Sequence, residues 1–200
     1  MRVDLVDVTQ QFPTCAALFD KVTLALTPGA PYALTGPSGS GKTTLLGIIS
    51  GLVKPTSGTV TRVGVGRVQW VFQNPHGVAE RSALDHVVFP LVAAGLRRRL
   101  ASYLARDILE RFGLIESAEK HYALLSGGEA ARLMLARSVA ARANLMLIDE
   151  PTAQLDAKSA HDVISVLGQL ADRNTIVVIA THDARVAAAC PRGIDVFAHV

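Results

Sequence analysis

Cysteine, aromatic residues and an excess of charge of one sign are all scarce in this 200-residue chain. The two cysteines, Cys15 and Cys190, lie far apart, so we expect reduced thiols rather than a disulfide framework. Twenty Lys and Arg against seventeen Asp and Glu leave a net charge of +3, which is too small to indicate nucleic-acid binding. Half of the residues are hydrophobic, which excludes a disordered protein.

The sequence has no hydrophobic run long enough to cross a membrane. A spanning helix needs roughly 20 consecutive apolar residues, whereas stretches such as 87–96 and 176–180 are much shorter and end at charge, proline or glycine. No apolar segment follows residues 1–4, so we expect no secretory signal. The high hydrophobic content therefore indicates a buried parallel sheet or an apolar surface reserved for a partner.

Short β-branched and aliphatic runs alternate with helical patterns, which predicts an α/β fold with a parallel sheet. Strands are expected at residues 3–8, 22–27, 32–35, 68–72, 145–148 and 176–180. Helices are expected at 45–50, 101–112 and 130–141, the first with Gly51 as its C-terminal cap. A helical stretch at about 80–125 interrupts the alternation, and we expect it to form a lobe inserted into a single 1–200 domain.

The most specific motif is a glycine-rich turn, GPSGSGKT, at residues 36–43. It fits the pattern G-x-x-x-x-G-K-[ST] completely, with a predicted strand before it and a predicted helix after it. In such a turn, backbone N–H groups and the helix N-terminus point at phosphate oxygens. We expect Lys42 to reach the β- and γ-phosphates, Thr43 to ligate Mg²⁺ and Thr44 to bind the α-phosphate. The other candidate nucleotide-binding residues of this turn are Gly36, Pro37, Ser38, Gly39, Ser40 and Gly41.

Two adjacent carboxylates, Asp149 and Glu150, follow the apolar run at 145–148. Ligand sites in open α/β sheets lie at the carboxyl ends of the strands, so we expect both acids near the phosphate-binding turn. Neighbouring side chains on a strand point in opposite directions, which predicts two separate tasks. Asp149 suits the Mg²⁺ shell, and Glu150 suits polarisation of an attacking water. Taken alone, the pair also fits a strand that simply emerges into solvent.

A second glycine motif, LSGGE at residues 125–129, opens the predicted helix at 130–141. Ser126 and Glu129 have the spacing of a capping box, which is a purely structural interpretation. The two glycines expose backbone N–H groups at the positive end of the helix dipole, which favours an anion site. The residues alone leave both interpretations open.

Six motifs in order, between about residues 12 and 183, resemble the nucleotide-binding subunit of an ATP-binding cassette (ABC) transporter. GPSGSGKT is similar to the Walker A motif, LSGGE to the signature motif and LMLIDE to the Walker B motif. Gln73 in VFQNP is similar to the Q-loop, residues 152–156 to the D-loop and residues 181–183 to the H-loop. VFQNP and FPLVAAG also loosely resemble the branch that serves lipoprotein release, macrolide export and cell division.

The resemblance implies a P-loop NTPase core with a parallel sheet, a small antiparallel β part and the inserted helical lobe. It implies that Gln73 contacts Mg²⁺ or the attacking water, that His182 contacts the γ-phosphate and that Phe12 stacks on adenine. Taken alone, each of these three residues also fits an ordinary surface, strand-end or core position. The resemblance further implies a head-to-tail dimer, either a homodimer or a pair with a related ATPase subunit. In that dimer Ser126 and Gly128 serve the ATP bound by the opposite copy.

The implied protein is an ATPase in the cytoplasm, held at the inner face of the membrane by a separate transmembrane permease. Its alternatives are a soluble ABC-type ATPase without transport and a regulatory module that holds ATP but turns it over poorly.

Asp156 is implied to cross the dimer interface, and an acid at a helix N-terminus is the alternative. Glu129 occupies the position at which the signature motif of that family more often has glutamine. A glutamate there puts a negative charge near the expected anion site. The segment 58–73 is shorter than in many members of that family, which predicts a shortened antiparallel β part. Only eighteen residues follow His182, so we expect no C-terminal regulatory domain.

Three further features have weaker interpretations. The run of arginines at 97–99 fits a solvated loop or helix start better than a contact with anionic lipid. The apolar stretch at 87–96 fits either core or a groove for a short helix of a partner. Five histidines lack metal-binding spacing, so we expect no zinc site. They are His76, His86, His121, His161 and His199.

Overall fold

A computed structural model describes residues 1–13 and 17–196, so Cys15 and His199 lie outside the described part of the chain. The described residues form eight strands and six α-helices. They are β1 (Arg2–Gln11), β2 (Ala17–Leu26), β3 (Tyr32–Thr35), α1 (Lys42–Ser50), β4 (Ser57–Val63), β5 (Val68–Val71), α2 (Ala83–Ala93), α3 (Arg98–Arg111), α4 (Gly127–Ala140), β6 (Leu145–Asp149), α5 (Ala157–Leu167), β7 (Ile176–Ala180), α6 (Ala184–Ala188) and β8 (Arg192–Asp195).

Five of the strands form a parallel sheet in the order β5-β6-β7-β3-β8. β6 and β7 lie inside it and are buried at every residue, because packed elements cover both faces. Their side chains alternate between two hydrophobic clusters, so that Met146 and Val177 join the cluster of α2–α5. Leu147 and Val178 join the opposite cluster, with α1 and the antiparallel sheet. The predicted α/β fold with a buried parallel sheet is confirmed.

The other three strands form an antiparallel sheet in the order β2-β1-β4. It packs against α1 through buried residues such as Val3, Leu5 and Phe19. Gly58, with φ +83°, allows β4 to approach β1 closely, because a Cβ there would collide with the carbonyl of Asp7. The antiparallel β part is thus present, and the segment 58–73 holds most of β4 and all of β5.

The chain between β5 and β6 is helical and packs on one face of the parallel sheet. On α2, Val87 and Leu91 are buried, whereas Phe89 is 69% exposed, so this apolar stretch is core on one side and surface on the other. Arg97 is the N-cap of α3, and Arg98 pairs with Asp85 of α2 at 3.0 Å. The arginine run is therefore an exposed helix start. Among the described helices, none combines the length and apolar character needed to cross a bilayer.

Candidate functional site

The glycine-rich turn joins β3 to α1 at the carboxyl end of the parallel sheet. Gly39 and Gly41 have φ of +83° and +88°, a left-handed conformation that other residues rarely adopt. Lys42 is buried, and its Nζ donates hydrogen bonds to the carbonyls of Gly36 at 2.9 Å and Pro37 at 3.1 Å. The turn therefore wraps around its own lysine and holds the ammonium group at the cleft beside it.

That cleft has a volume of about 610 Å³. Its lining residues are Leu18, Ser38, Gly39, Gly41, Lys42, Thr43, Thr44, Gln73, Asp149, Glu150 and His182. The structure thus gathers the candidates from four separate motifs at one edge of the sheet. Leu18 of β2 is the lining residue that the sequence did not single out, because an aliphatic side chain in a strand carries no chemical signal.

The remaining candidates lie outside the cleft wall. Ser40 is buried, and its Oγ lies where a side chain on Gly36 would have to be, which explains glycine there. Phe12 directly follows β1 and is 45% exposed. Ser126 and Gly128 lie at the start of α4 and do not line the cleft of their own chain.

Thr43 and Asp149 form an oxygen pair at the base of the cleft, with Thr43 Oγ1 donating to Asp149 Oδ2 at 2.7 Å. Burial raises the pKa of the Asp149 carboxyl, and the charge of Glu150 adds to this effect, whereas Thr43 and Lys42 oppose it. A cation bound here would offset the cost of burying the carboxylate. Hydroxyl and carboxylate oxygens are the ligands that Mg²⁺ prefers, so this pair fits the expected metal.

Glu150 directly follows β6 and has a left-handed backbone with φ +47°. Its Oε1 lies 3.6 Å from Lys42 Nζ, while the neighbouring Asp149 bonds to Thr43. Both carboxylates thus face the first turn of α1. Strand alternation had predicted opposite directions, and this was wrong because the strand ends at Asp149 and the backbone turns at the next residue.

His182 comes after β7 and contacts Glu150 twice. Its Nδ1 lies 2.9 Å from Glu150 Oε1, and its backbone N–H donates to Glu150 Oε2 at 3.3 Å. The imidazole is 66% exposed, whereas the Glu150 carboxylate is nearly buried. The carboxylate is therefore fixed between Lys42 and His182, and the imidazole lies at the mouth of the cleft.

The start of α4 has the capping box that its sequence predicts. Ser126 Oγ accepts from the backbone N–H of Glu129 at 3.2 Å, and Glu129 Oε2 accepts from the backbone N–H of Ser126 at 2.8 Å. Burial opposes ionisation of Glu129, but hydrogen bonds from Ser117, Ser126 and Lys120 outweigh it and lower its pKa to about 2. The structural interpretation is confirmed, and the anion-site interpretation stays a prediction.

Glu129 is expected to make stability depend on pH. Its pKa falls from 4.5 to about 2 on folding, so its charge stabilises the fold above about pH 4.5, and the contribution is lost as the pH falls toward 2. Glu129→Gln keeps a capping acceptor but removes the charge, and we expect it to cost about 1 kcal/mol at pH 7. Urea unfolding of both proteins at pH 7 and pH 3 measures this. An equal difference at the two pH values would contradict it.

Asp156 is the N-cap of α5. Its carboxylate accepts from the backbone N–H groups of Lys158 and Ser159, both at 3.0 Å, and from Ser159 Oγ at 2.6 Å. The interpretation as a helix N-terminal acid is thus confirmed, and its place in a dimer interface stays a prediction. A Cβ on Gly128 would lie 2.7 Å from that of Ser159, so the starts of α4 and α5 pack too closely for any other residue.

Comparison with known proteins gives concordant results. The family model described as ABC transporter matches residues 19–153. The lipoprotein-releasing system ATP-binding protein LolD of Legionella pneumophila (strain Paris) is 39% identical in an alignment of 185 positions, which covers 83% of this chain and 80% of that protein. The macrolide export ATP-binding/permease protein MacB of Escherichia coli (strain K12) is 34% identical in an alignment of 212 positions, gaps included, which covers 97% of this chain. The match covers 33% of MacB, so the chain spans about a third of the length of that relative.

A solved structure shows the same fold. It is the dimeric ATP-binding cassette MJ0796 in a post-hydrolysis state bound to ADP and Pi, with a TM-score of 0.80 and 28% identity. The match covers 97% of this chain and 94% of that one. The family model spans more than half of the sequence, and LolD is matched over most of its length. The chain therefore belongs to the ABC transporter family, as an ATP-binding cassette of that family.

Proposed function

We propose that this cassette hydrolyses ATP and thereby drives a separate membrane permease. The observation that supports this most strongly is the set of groups in one cleft. A buried lysine, a hydroxyl–carboxylate pair and a second carboxylate beside a histidine lie there together, at Lys42, Thr43, Asp149, Glu150 and His182. These are the groups that phosphoryl transfer to water requires.

ATP binds with its phosphates in the glycine-rich turn. The backbone N–H groups of the turn and the N-terminus of α1 stabilise the phosphate charge, and Lys42 exchanges its bonds to two loop carbonyls for bonds to the β- and γ-phosphates. Thr43 and Asp149 would hold Mg²⁺, with Gln73 on the same cleft wall. When bound, Mg²⁺ neutralises charge on the phosphate oxygens. Phe12, with its exposed ring, and Leu18 are the candidates for contact with adenine.

Glu150 orients the attacking water and accepts its proton. Its carboxylate lies beside Lys42, is fixed by the side chain and backbone of His182, and lines the cleft. The exposed imidazole of His182 is placed to contact the γ-phosphate at the cleft mouth. The chain thus supplies the base, and the turn stabilises the charge that develops on the phosphate.

A second copy completes the site. Ser126 is exposed at the N-terminus of α4, outside the cleft of its own chain. The positive end of the α4 dipole is therefore available to a nucleotide held by another copy. The dimeric form of MJ0796 supports this arrangement. The second copy is either this chain again or a related ATPase subunit.

The permease binds to the helical lobe at 80–125, and through it the cassette is peripheral to the membrane. A groove of about 320 Å³ lies along α2, and its apolar wall includes Val78, Val88, Phe89 and Val92. Phe89 is 69% exposed there, as an anchor for a partner helix would be. The printed names of MacB and LolD, an ATP-binding/permease protein and an ATP-binding protein of a lipoprotein-releasing system, support this pairing.

Phe89→Asp tests the permease part of the proposal. Because the charge removes an apolar anchor, we expect the fraction of tagged chain that sediments with the membranes of the native cell to fall at least about fivefold. Tyr103→Asp is the matched control, since Tyr103 is a 72% exposed aromatic on α3 outside the groove. Equal membrane recovery of Phe89→Asp and the unmodified chain, or sedimentation of the chain with ribosomes or DNA instead, would refute this partner.

A further inference from the structure

Glu129 makes more contacts than a capping box requires. Its Oε2 completes the box with the backbone of Ser126 at 2.8 Å. Its Oε1 accepts a hydrogen bond from Ser117 Oγ at 2.5 Å and lies 3.3 Å from Lys120 Nζ. Both of these partners precede α4 by several residues and belong to the helical lobe. The carboxylate therefore joins the start of α4 to a separate segment, residues 115–121.

The segment 115–121 is itself bonded to the start of α2. The backbone N–H of Ala83 donates to the carbonyl of Lys120 at 2.9 Å, and that of Leu84 donates to the carbonyl of Ala118 at 2.8 Å. Ser117 is 5% exposed, so its hydroxyl is held in a packed environment. A continuous set of hydrogen bonds thus runs from the start of α2, through this segment and Glu129, to Ser126.

We propose that Glu129 is a positioning residue that fixes Ser126 relative to the helical lobe through Ser117 and Lys120. This rests on the proposed function, in which Ser126 serves the nucleotide of the opposite copy. Ser126 Oγ accepts from the backbone N–H of Glu129 at 3.2 Å, so its own O–H remains available to a phosphate oxygen of that nucleotide. Displacement of Ser126 weakens the closure of two copies on ATP, and the binding of ATP to one copy is unaffected.

Lys120→Ala and Ser117→Ala test this without disturbing the capping box. Each removes one contact of Oε1 and keeps the bonds between Glu129 and Ser126. In a Glu150→Gln background with ATP and Mg²⁺, we expect each to raise the dissociation constant of the dimer about fivefold in analytical ultracentrifugation. The affinity of the monomer for a fluorescent ATP analogue is expected to stay within about twofold, which a general loss of folding would not allow.

Three further variants separate positioning from a structural effect. Lys120→Arg keeps the charge and is expected to dimerise like the parent protein. Glu119→Gln breaks a comparable pair on the same lobe, Arg106–Glu119 at 2.5 Å, and is expected to have no effect on dimerisation. In a Glu129→Gln background, Lys120→Ala is expected to add almost nothing, because its ionic partner is already absent.

The outcomes distinguish this inference from the proposed function. Parent-like dimerisation of both Lys120→Ala and Ser117→Ala overturns the positioning role and leaves the proposed function standing. An equal loss in Glu119→Gln also overturns it, because the effect is then not specific to the contacts of Glu129. If the parent protein itself does not dimerise with ATP, the proposed function fails, and this inference fails with it.

Discussion

Replacement of Glu150 by glutamine is expected to lower the rate of ATP hydrolysis at least about a hundredfold, the usual contribution of a general base. The amide keeps the size of the side chain and an oxygen for the backbone N–H of His182. It removes the negative charge that lies 3.6 Å from Lys42 and accepts the proton of water. ATP binding is therefore retained, since Lys42 and the glycine-rich turn hold the phosphates.

The measurement is phosphate release at saturating ATP and Mg²⁺, together with the affinity for a fluorescent ATP analogue. Glu110→Gln is the matched control, because Glu110 is an exposed glutamate on α3, far along the chain from the cleft residues. It is expected to hydrolyse ATP at the rate of the unmodified chain. If Glu150→Gln keeps a rate within about threefold of that value, Glu150 is not the base.

Local patterns in the sequence predicted the nucleotide turn and the buried strands. The turn depends on glycines and a lysine at fixed spacing, so its geometry follows from adjacent residues. β7 matches its predicted bounds, and β6 extends one residue further, to Asp149. Continuous apolar runs of this length are typical of strands in a parallel sheet that is covered on both faces. The carboxyl ends of β6 and β7 then bring Asp149, Glu150 and His182 to the turn.

Some features that depend on contacts distant in sequence were not predicted. β4 has little apolar patterning and forms because it pairs with β1, with Gly58 at the close approach. Arg62 of β4 donates from its Nε to the carbonyl of Ile49 at 2.8 Å and so caps the end of α1, which no local pattern reveals. The left-handed backbone at Glu150, whose N–H donates to the carbonyl of Ala180 on the neighbouring strand at 2.9 Å, likewise has no local sequence signal.

A second part of the candidate site lies at a different surface of the same chain. Ser126 and Gly128 are outside the cleft, and Asp156 is near them, because Gly128 packs on Ser159 beside that cap. In the folded chain this second surface consists of the capped N-termini of α4 and α5. Its catalytic role requires a second copy of the cassette.

Two inactive variants are expected to restore activity to each other when mixed. Lys42→Ala removes the phosphate-binding lysine, and Ser126→Arg puts a bulky charged side chain on the exposed start of α4. Each variant alone therefore abolishes both sites of a dimer. In a mixed dimer, one site combines both defects, and the other has an intact Lys42 facing an intact Ser126. Half of the dimers are mixed after random exchange, so we expect about a quarter of the normal activity for two independent sites of a symmetric dimer.

The most direct test is therefore the rate of phosphate release by an equal mixture of Lys42→Ala and Ser126→Arg, after circular dichroism has shown both to be folded. The matched control is a mixture of Lys42→Ala and Glu150→Gln, whose defects lie in the same cleft and cannot complement each other. We expect a rate near a quarter of the unmodified value for the first mixture and almost none for the second. A first mixture no more active than its two components, or equal recovery in both mixtures, would contradict a site shared between two copies.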